Sequence, residues 1–362
     1  ATMSLSSSQI KTLNILCPPF RILLYCFDAK TPDGELRTLI ASRYSGMINE
    51  NDENGLPDIP SCLIANWHHL TLDGTIRLFQ NMLCRKSAPT VLHLIHKQLG
   101  DMTASREIAL DWFSSWFHRD TAANDWREKS RGVHFQTVNS KDIGFHRDAV
   151  WPPLEGQTLA LFPYDKRLIV ELPKLHEETI SIMADGNHAT PGVGGLGLHH
   201  ANQNSGCLPQ NFTDINFPEL DFPLISRKDV ITFTSAPLKH DMLISGTPRC
   251  RFTISLRGFN TSSAITLAAT LMDASPDTAS DATGFNISMG IIRVNQDEKR
   301  PLQYLEIPLH SIAYLVPANH RLQLMITTGH YPNFSCINQM PCMISLHTGG
   351  SHASQISIPF LK

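Results

Sequence analysis

The sequence lacks several features that would assign a function class at once. None of its eight cysteines (Cys17, Cys26, Cys62, Cys84, Cys207, Cys250, Cys336, Cys342) forms a C-x-x-C pair. That argues against zinc-ribbon and thioredoxin-like chemistry and leaves ordinary buried thiols. No apolar run reaches the roughly 18 residues that a membrane helix needs. The nearest, ILCPPFRILLYCF at residues 15–27, is broken by Pro18, Pro19 and Arg21. With no basic leader and no small-residue cleavage site, it is not read as a signal peptide. Charge is sparse at 17% and the net charge is −3, so no basic field points to nucleic acid or to an acidic membrane. Six glycines lie between Gly186 and Gly206, yet no G-x-G-x-x-G follows a strand and opens a helix, and no Walker pattern occurs. Neither a cofactor nor a metal is expected.

What is present reads as a globular chain. Its 362 residues are 42% hydrophobic, enough for two ordinary domains. Four N-x-[ST] sequons begin at Asn211, Asn260, Asn286 and Asn333 and leave the compartment open. Up to about residue 120 the patterning alternates. PSCLIANW and APTVLHLIH read as buried strands, with the helix-like DGTIRLFQNML between them. In REIALDWFSSWFHRD, Ile108, Trp112 and Trp116 recur at four-residue spacing beside Leu110, Phe113 and Phe117, which predicts a second helix with a broad apolar face. Strand, helix, strand, helix is the rhythm of a parallel α/β sheet.

From about residue 228 the period changes to two. RKDVITFTSAPL, PRCRFTISLRGF, AITLAATLMD, NISMGIIRV, LQYLEIPL, HRLQLMITTG, CMISLHTGG and SQISIPFL are short strands between turn residues. Strands that close together, with no helices between them, predict an antiparallel sandwich. Residues 183–214 are long, rich in Gly and Asn, and aperiodic, as functional loops are. The expected organisation is an α/β region with a cap remnant over 1–150, a linker with the Gly-rich loop over 151–227, and an all-β jelly-roll sandwich over 228–362.

Seven motifs, in one order, resemble the later portion of the family that contains cocaine esterase and X-Pro dipeptidyl peptidases. PDIPSCLIANWHHLTLDGTIRLF is similar to a strand ending in Gly-Trp-Tyr-Asp and its helix, and ALDWFSSWF to the next helix. GFHRDAVWPP resembles a Trp-Pro-Pro segment, TPGVGG a Pro-Thr-x-Gly-Gly loop, and RKDVITFTSAPLKHDMLISGTP the entry to a jelly roll. YLVPANHRLQLMIT and HTGGSHASQISIPFL resemble its closing strands, including a His-x-Gly-Gly-x-His turn. The resemblance covers residues 57–361 and implies an α/β-hydrolase remnant followed by a jelly roll. Fold alone does not carry function.

It also implies a serine nucleophile, a histidine and an acid, and here this chain departs from the pattern. No G-x-S-x-G precedes the first strand; the nearest string, NISMG around Ser288, lies in the β-rich half. The acid should stand two residues after Trp67, where the sequence has His69. Asp73 is a nearby substitute, although an aspartate there also reads as a helix N-cap. The catalytic histidine falls on Lys97 by ungapped counting, with His96 one residue early. Triad loss costs several orders of magnitude in rate, so orthodox serine hydrolysis is not expected.

Three readings stay open. The chain is a fragment of an active esterase or acyl-peptidase. Or its cleft serves a cyclisation, isomerisation or addition on a small apolar organic substrate, with proton-transfer candidates His68, His69, His93, His96, Asp73, His199 and His200. Or it is a binding or assembly protein. A partial parallel sheet leaves an edge and a face that another subunit would cover, so a homodimer is expected, or PPFRILLYCF supplies a covering strand.

Overall fold

The computed structural model describes residues 60–69, 71–85, 88–96, 103–117, 131–141, 144–173, 177–185, 190–196, 206–210, 224–257, 264–276, 284–295, 302–331, 334 and 341–361. PPFRILLYCF, His199 and His200 lie outside them.

The first unit is a four-stranded sheet in the order β1 (Ser61–Asn66), β2 (Thr90–Ile95), β3 (Gly132–Phe135), β4 (His146–Asp148). The first three strands are parallel and the fourth antiparallel. Helix α1 (Leu72–Arg85) packs on β1 and β2, and α2 (Thr103–Phe117) touches β1. Leu63 and Ala65 on β1, Leu92 and Leu94 on β2, and Val133 and Phe135 on β3 share one face, which α1 covers with Ile76, Phe79 and Met82. Trp112 of α2 is buried as its spacing predicts, whereas Leu110 is 61% exposed. The side chains of Trp116 and Phe117 lie outside the described residues.

The remainder is β-sheet. One path of hydrogen-bonded strands runs β12 (Phe285–Asn295), β11 (Ala264–Ala274), β15 (Arg321–Thr327), β8 (Val230–Ser235), β6 (Arg167–Ile169), β5 (Gln157–Tyr164), β17 (Gln355–Leu361), β10 (Arg249–Arg257), β16 (Cys342–His347), β7 (Thr179–Ala184). β13 (Gln303–Pro308) pairs with β10, and β9 (Met242–Gly246) with β14 (Ile312–Val316) and β17. All but one of these pairings are antiparallel, and the path folds over a core of Phe233, Ile244, Phe252, Ile254, Leu271, Ile344 and their neighbours. This is a β-sandwich. All eight strands expected from the period-two segments are present. Three more, β5, β6 and β7, lie within the stretch 151–227 that the sequence reading treats as linker. β6 is only three residues long and β5 carries Pro163, so neither shows a clean alternation. Among the described residues no helix is long and apolar enough to cross a membrane.

Two tryptophans fasten the units together. Trp67, just past β1, donates through Nε1 to the Gln136 carbonyl at 2.8 Å and packs 5.4 Å from Trp151. Trp151 Nε1 donates to Ser311 Oγ at 2.8 Å, on the loop between β13 and β14. Both rings are almost fully buried, and truncating either removes about 3–5 kcal/mol of packing.

Candidate functional site

In a parallel sheet, binding and catalytic groups collect where the strands end at their C-terminal tips. After Asn66 the backbone turns at Trp67 and His68, with His68 in the left-handed region at φ 68°. Holding a non-glycine residue there costs about 1 kcal/mol or more, so its contacts must compensate. They do so across the domain junction. His68 Nε2 donates to the Ile287 carbonyl at 3.3 Å and lies 3.4 Å from Cys207 Sγ. Its ring meets that of His310 edge-on at 5.1 Å. Burial, and then the neighbouring His96, pull the His68 pKa down to about 4. His310 is pushed well below the ordinary imidazole value by burial and then by His68. Both rings are therefore neutral at pH 7. Burial, with Asp273 nearby, raises the Cys207 thiol strongly, so it is a thiol and not a thiolate.

His69, at the acid position, is half-buried and engaged locally. The Thr71 backbone N–H donates to its Nδ1 at 3.2 Å, and the Thr71 hydroxyl lies 2.7 Å from the same atom. The imidazole thus closes the turn into α1. Asp73 does not cap the helix: α1 begins one residue earlier, and Asp73 Oδ1 accepts the Ser311 N–H at 3.2 Å. Burial raises its pKa. His96 follows β2 directly, its backbone N–H held by Gln136 Oε1 at 2.8 Å and its side chain exposed on the rim. Partial desolvation lowers its pKa, so it too is a neutral base at pH 7. The structure thus gathers His68, His69, His96 and Asp73 around the ends of β1 and β2. His199 and His200 lie outside the described residues, although the stems of their loop are pinned. Thr190 Oγ1 donates to Asp229 Oδ2 at 2.5 Å, Arg227 Nε pairs with Asp229 Oδ1 at 2.8 Å, and Gly195 and Gly206 exchange backbone hydrogen bonds.

Ser288 is fully buried and its hydroxyl donates to the His310 carbonyl at 2.6 Å, an arrangement with no room for an acyl group. His310 and Cys207 are the site residues that sequence reasoning missed. His310 meets His68 from 242 positions away, and no local pattern marks such a pairing. Among the described residues no group of three or more His, Cys, Asp or Glu side chains could hold a metal ion.

The comparisons with known proteins agree with this architecture. The model of the X-Pro dipeptidyl-peptidase C-terminal non-catalytic domain matches residues 127–357, well over half of the chain. No curated protein sequence matches. An α-amino acid ester hydrolase structure superposes with a TM-score of 0.64 at 14% identity, covering 98% of this chain and 62% of that one. An aminopeptidase from a marine sediment archaeon of the Thaumarchaeota gives 0.62 at 15%, covering 84% and 55%. A CocE/NonD family hydrolase from Staphylococcus aureus gives 0.55 at 12%, covering 83% and 54%. At these identities the likeness is one of fold, and the chain spans less than two thirds of each relative's length. On the domain match and the β-sandwich that carries it, the chain belongs to the family of the X-Pro dipeptidyl-peptidase C-terminal non-catalytic domain.

Proposed function

We propose that the chain is a hydrolase-family scaffold that does not carry out orthodox serine hydrolysis, and that the polar groups at the ends of β1 and β2 serve a non-hydrolytic conversion of a small apolar organic molecule. Cyclisation, isomerisation and addition all fit, because each needs a proton shuttle but no covalent acyl intermediate. One observation carries the reading. His69, at the acid position, is taken up by Thr71, while His96 stands on the open rim as an uncharged base. An imidazole in that state can take a proton from a carbon or oxygen acid and return it elsewhere on the same molecule.

The test uses mass balance. The full chain is incubated with a panel of small lactones, enols and unsaturated carbonyl compounds, and the products are read by mass spectrometry. Isomerisation or cyclisation leaves the mass unchanged, and His96→Gln abolishes it. Opening of a lactone by water, seen as a ring-opened hydroxy acid formed by the wild-type chain, contradicts the reading.

A second reading has its own support, since the matched domain is described as non-catalytic. In it the sandwich is a binding or assembly module, and the activity belongs to sequence found in the longer relatives. Absence of any turnover, together with concentration-dependent self-association in light scattering, would favour it. The homodimer expected from the partial sheet is part of that second reading.

A further inference from the structure

Away from the strand ends, the second face of the four-stranded sheet carries an unusual row. The register places His93 of β2 directly opposite His134 of β3, and His134 directly opposite Arg147 of β4. Three groups able to carry positive charge therefore stand side by side across three strands. The imidazoles touch, with the ring of His93 4.8 Å from that of His134 and 5.8 Å from that of Phe145. His93 Nδ1 is buried and has no hydrogen-bond partner. A buried polar atom left unpaired costs about 1–3 kcal/mol, and calls for a ligand or water that satisfies it. At the open end Arg147 is exposed, and among the described residues it makes no ion pair.

We propose that this row binds a small oxyanion, a carboxylate or phosphate group, held between the Arg147 guanidinium and the His93 imidazole. The distances suit it. Strands two apart place their Cα atoms about 10 Å from each other, and the long arginine side chain can reach back over His134 toward the sheet. A guanidinium offers the planar fork that matches carboxylate and phosphate oxygens, and the unpaired imidazole nitrogen supplies a further donor when it carries its proton.

Binding must be linked to protons. Burial, then His134, then Arg147 drive the His93 pKa down to about 3, so without an anion the ring is neutral. The groups that face it are His134 on β3 and Arg147 on β4; Ile64 stands opposite it on β1, next to Cys62, whose thiol burial keeps protonated. On α2, Glu107 and Asp111 are exposed, and no carboxylate is among the charges acting on His93. An anion arriving beside the ring favours the protonated form, so by reciprocity protonation favours the anion. Affinity therefore rises as pH falls, by at most about tenfold per pH unit for one proton taken up.

Ring-nitrogen NMR of the full chain, titrated separately with inorganic phosphate and with acetate against a chloride control at matched ionic strength, tests this. Saturable movement of the His93 and His134 ring signals is expected in at least one arm, and the arm that saturates names the headgroup. Arg147→Gln, at an exposed position, should fold normally and weaken binding at least fivefold, and affinity in the wild-type chain should increase as the pH is lowered from 6 toward the depressed His93 pKa. Shifts that stay linear and match chloride in both arms overturn the proposal. So does an affinity that Arg147→Gln leaves unchanged.

Discussion

His68 and His310 meet edge to edge, ring centroids 5.1 Å apart, with one ring on the turn after β1 and the other on the loop between two sandwich strands. The contact makes the junction between the two units dependent on both rings being neutral. Both folded-state pKa values lie below the unfolded value of 6.5, His68 at about 4. The unfolded chain therefore binds more protons as the pH drops, and stability falls below pH 6.5 and keeps falling to about pH 4. His68 alone accounts for about 3 kcal/mol of that loss. His93 and His330, lowered to about 3 and about 4, add in the same direction. Urea denaturation from pH 7.5 to 4.5 should show this decline, and His68→Asn, which tolerates the positive φ, should make it shallower.

Asp73 reaches from α1 to the Ser311 N–H, and its burial raises its pKa. The charged form is thus penalised while its hydrogen bond is retained. Asp73→Ala should cost about 1–3 kcal/mol in denaturant unfolding, since a buried N–H is left unpaired. Asp73→Asn keeps an acceptor without a charge and should cost much less.

Two glycines should respond in opposite directions. A Cβ on Gly290 of β12 would land on the Pro308 carbonyl oxygen, which is backbone and cannot yield. Gly290→Ala should destabilise by about 1–3 kcal/mol or more. Gly74, in the first turn of α1, has nothing within 4 Å of its Cβ direction. Gly74→Ala should stabilise by about 0.4–1 kcal/mol through the unfolded state. Thermal unfolding of the two variants side by side checks both signs.

Much of the fold was legible because it rests on local periodicity. The alternation in RCRFTISLR and QISIPFL states which side chains face the core, and the spacing of Ile76, Phe79 and Met82 states which face of α1 meets the sheet. Short strands were harder: in RLI there is too little sequence to reveal a period, and its partners β5 and β8 supply the order. The site was legible only by halves. His69 stood out because a carboxylate was expected there, yet its bond to Thr71 could not be anticipated from spacing. Cys207 and His310 gave no signal, because their partner His68 is distant in sequence and their role is fixed by burial. Neutral imidazoles are a property of the packed junction, and composition does not report it.

The proposal that this chain does not carry out serine hydrolysis is put to the test by incubating residues 1–362 with a fluorophosphonate probe and measuring labelling by intact mass. No adduct is expected, with Ser288 protected by full burial and its bond to the His310 carbonyl. Stoichiometric labelling of any serine would contradict it.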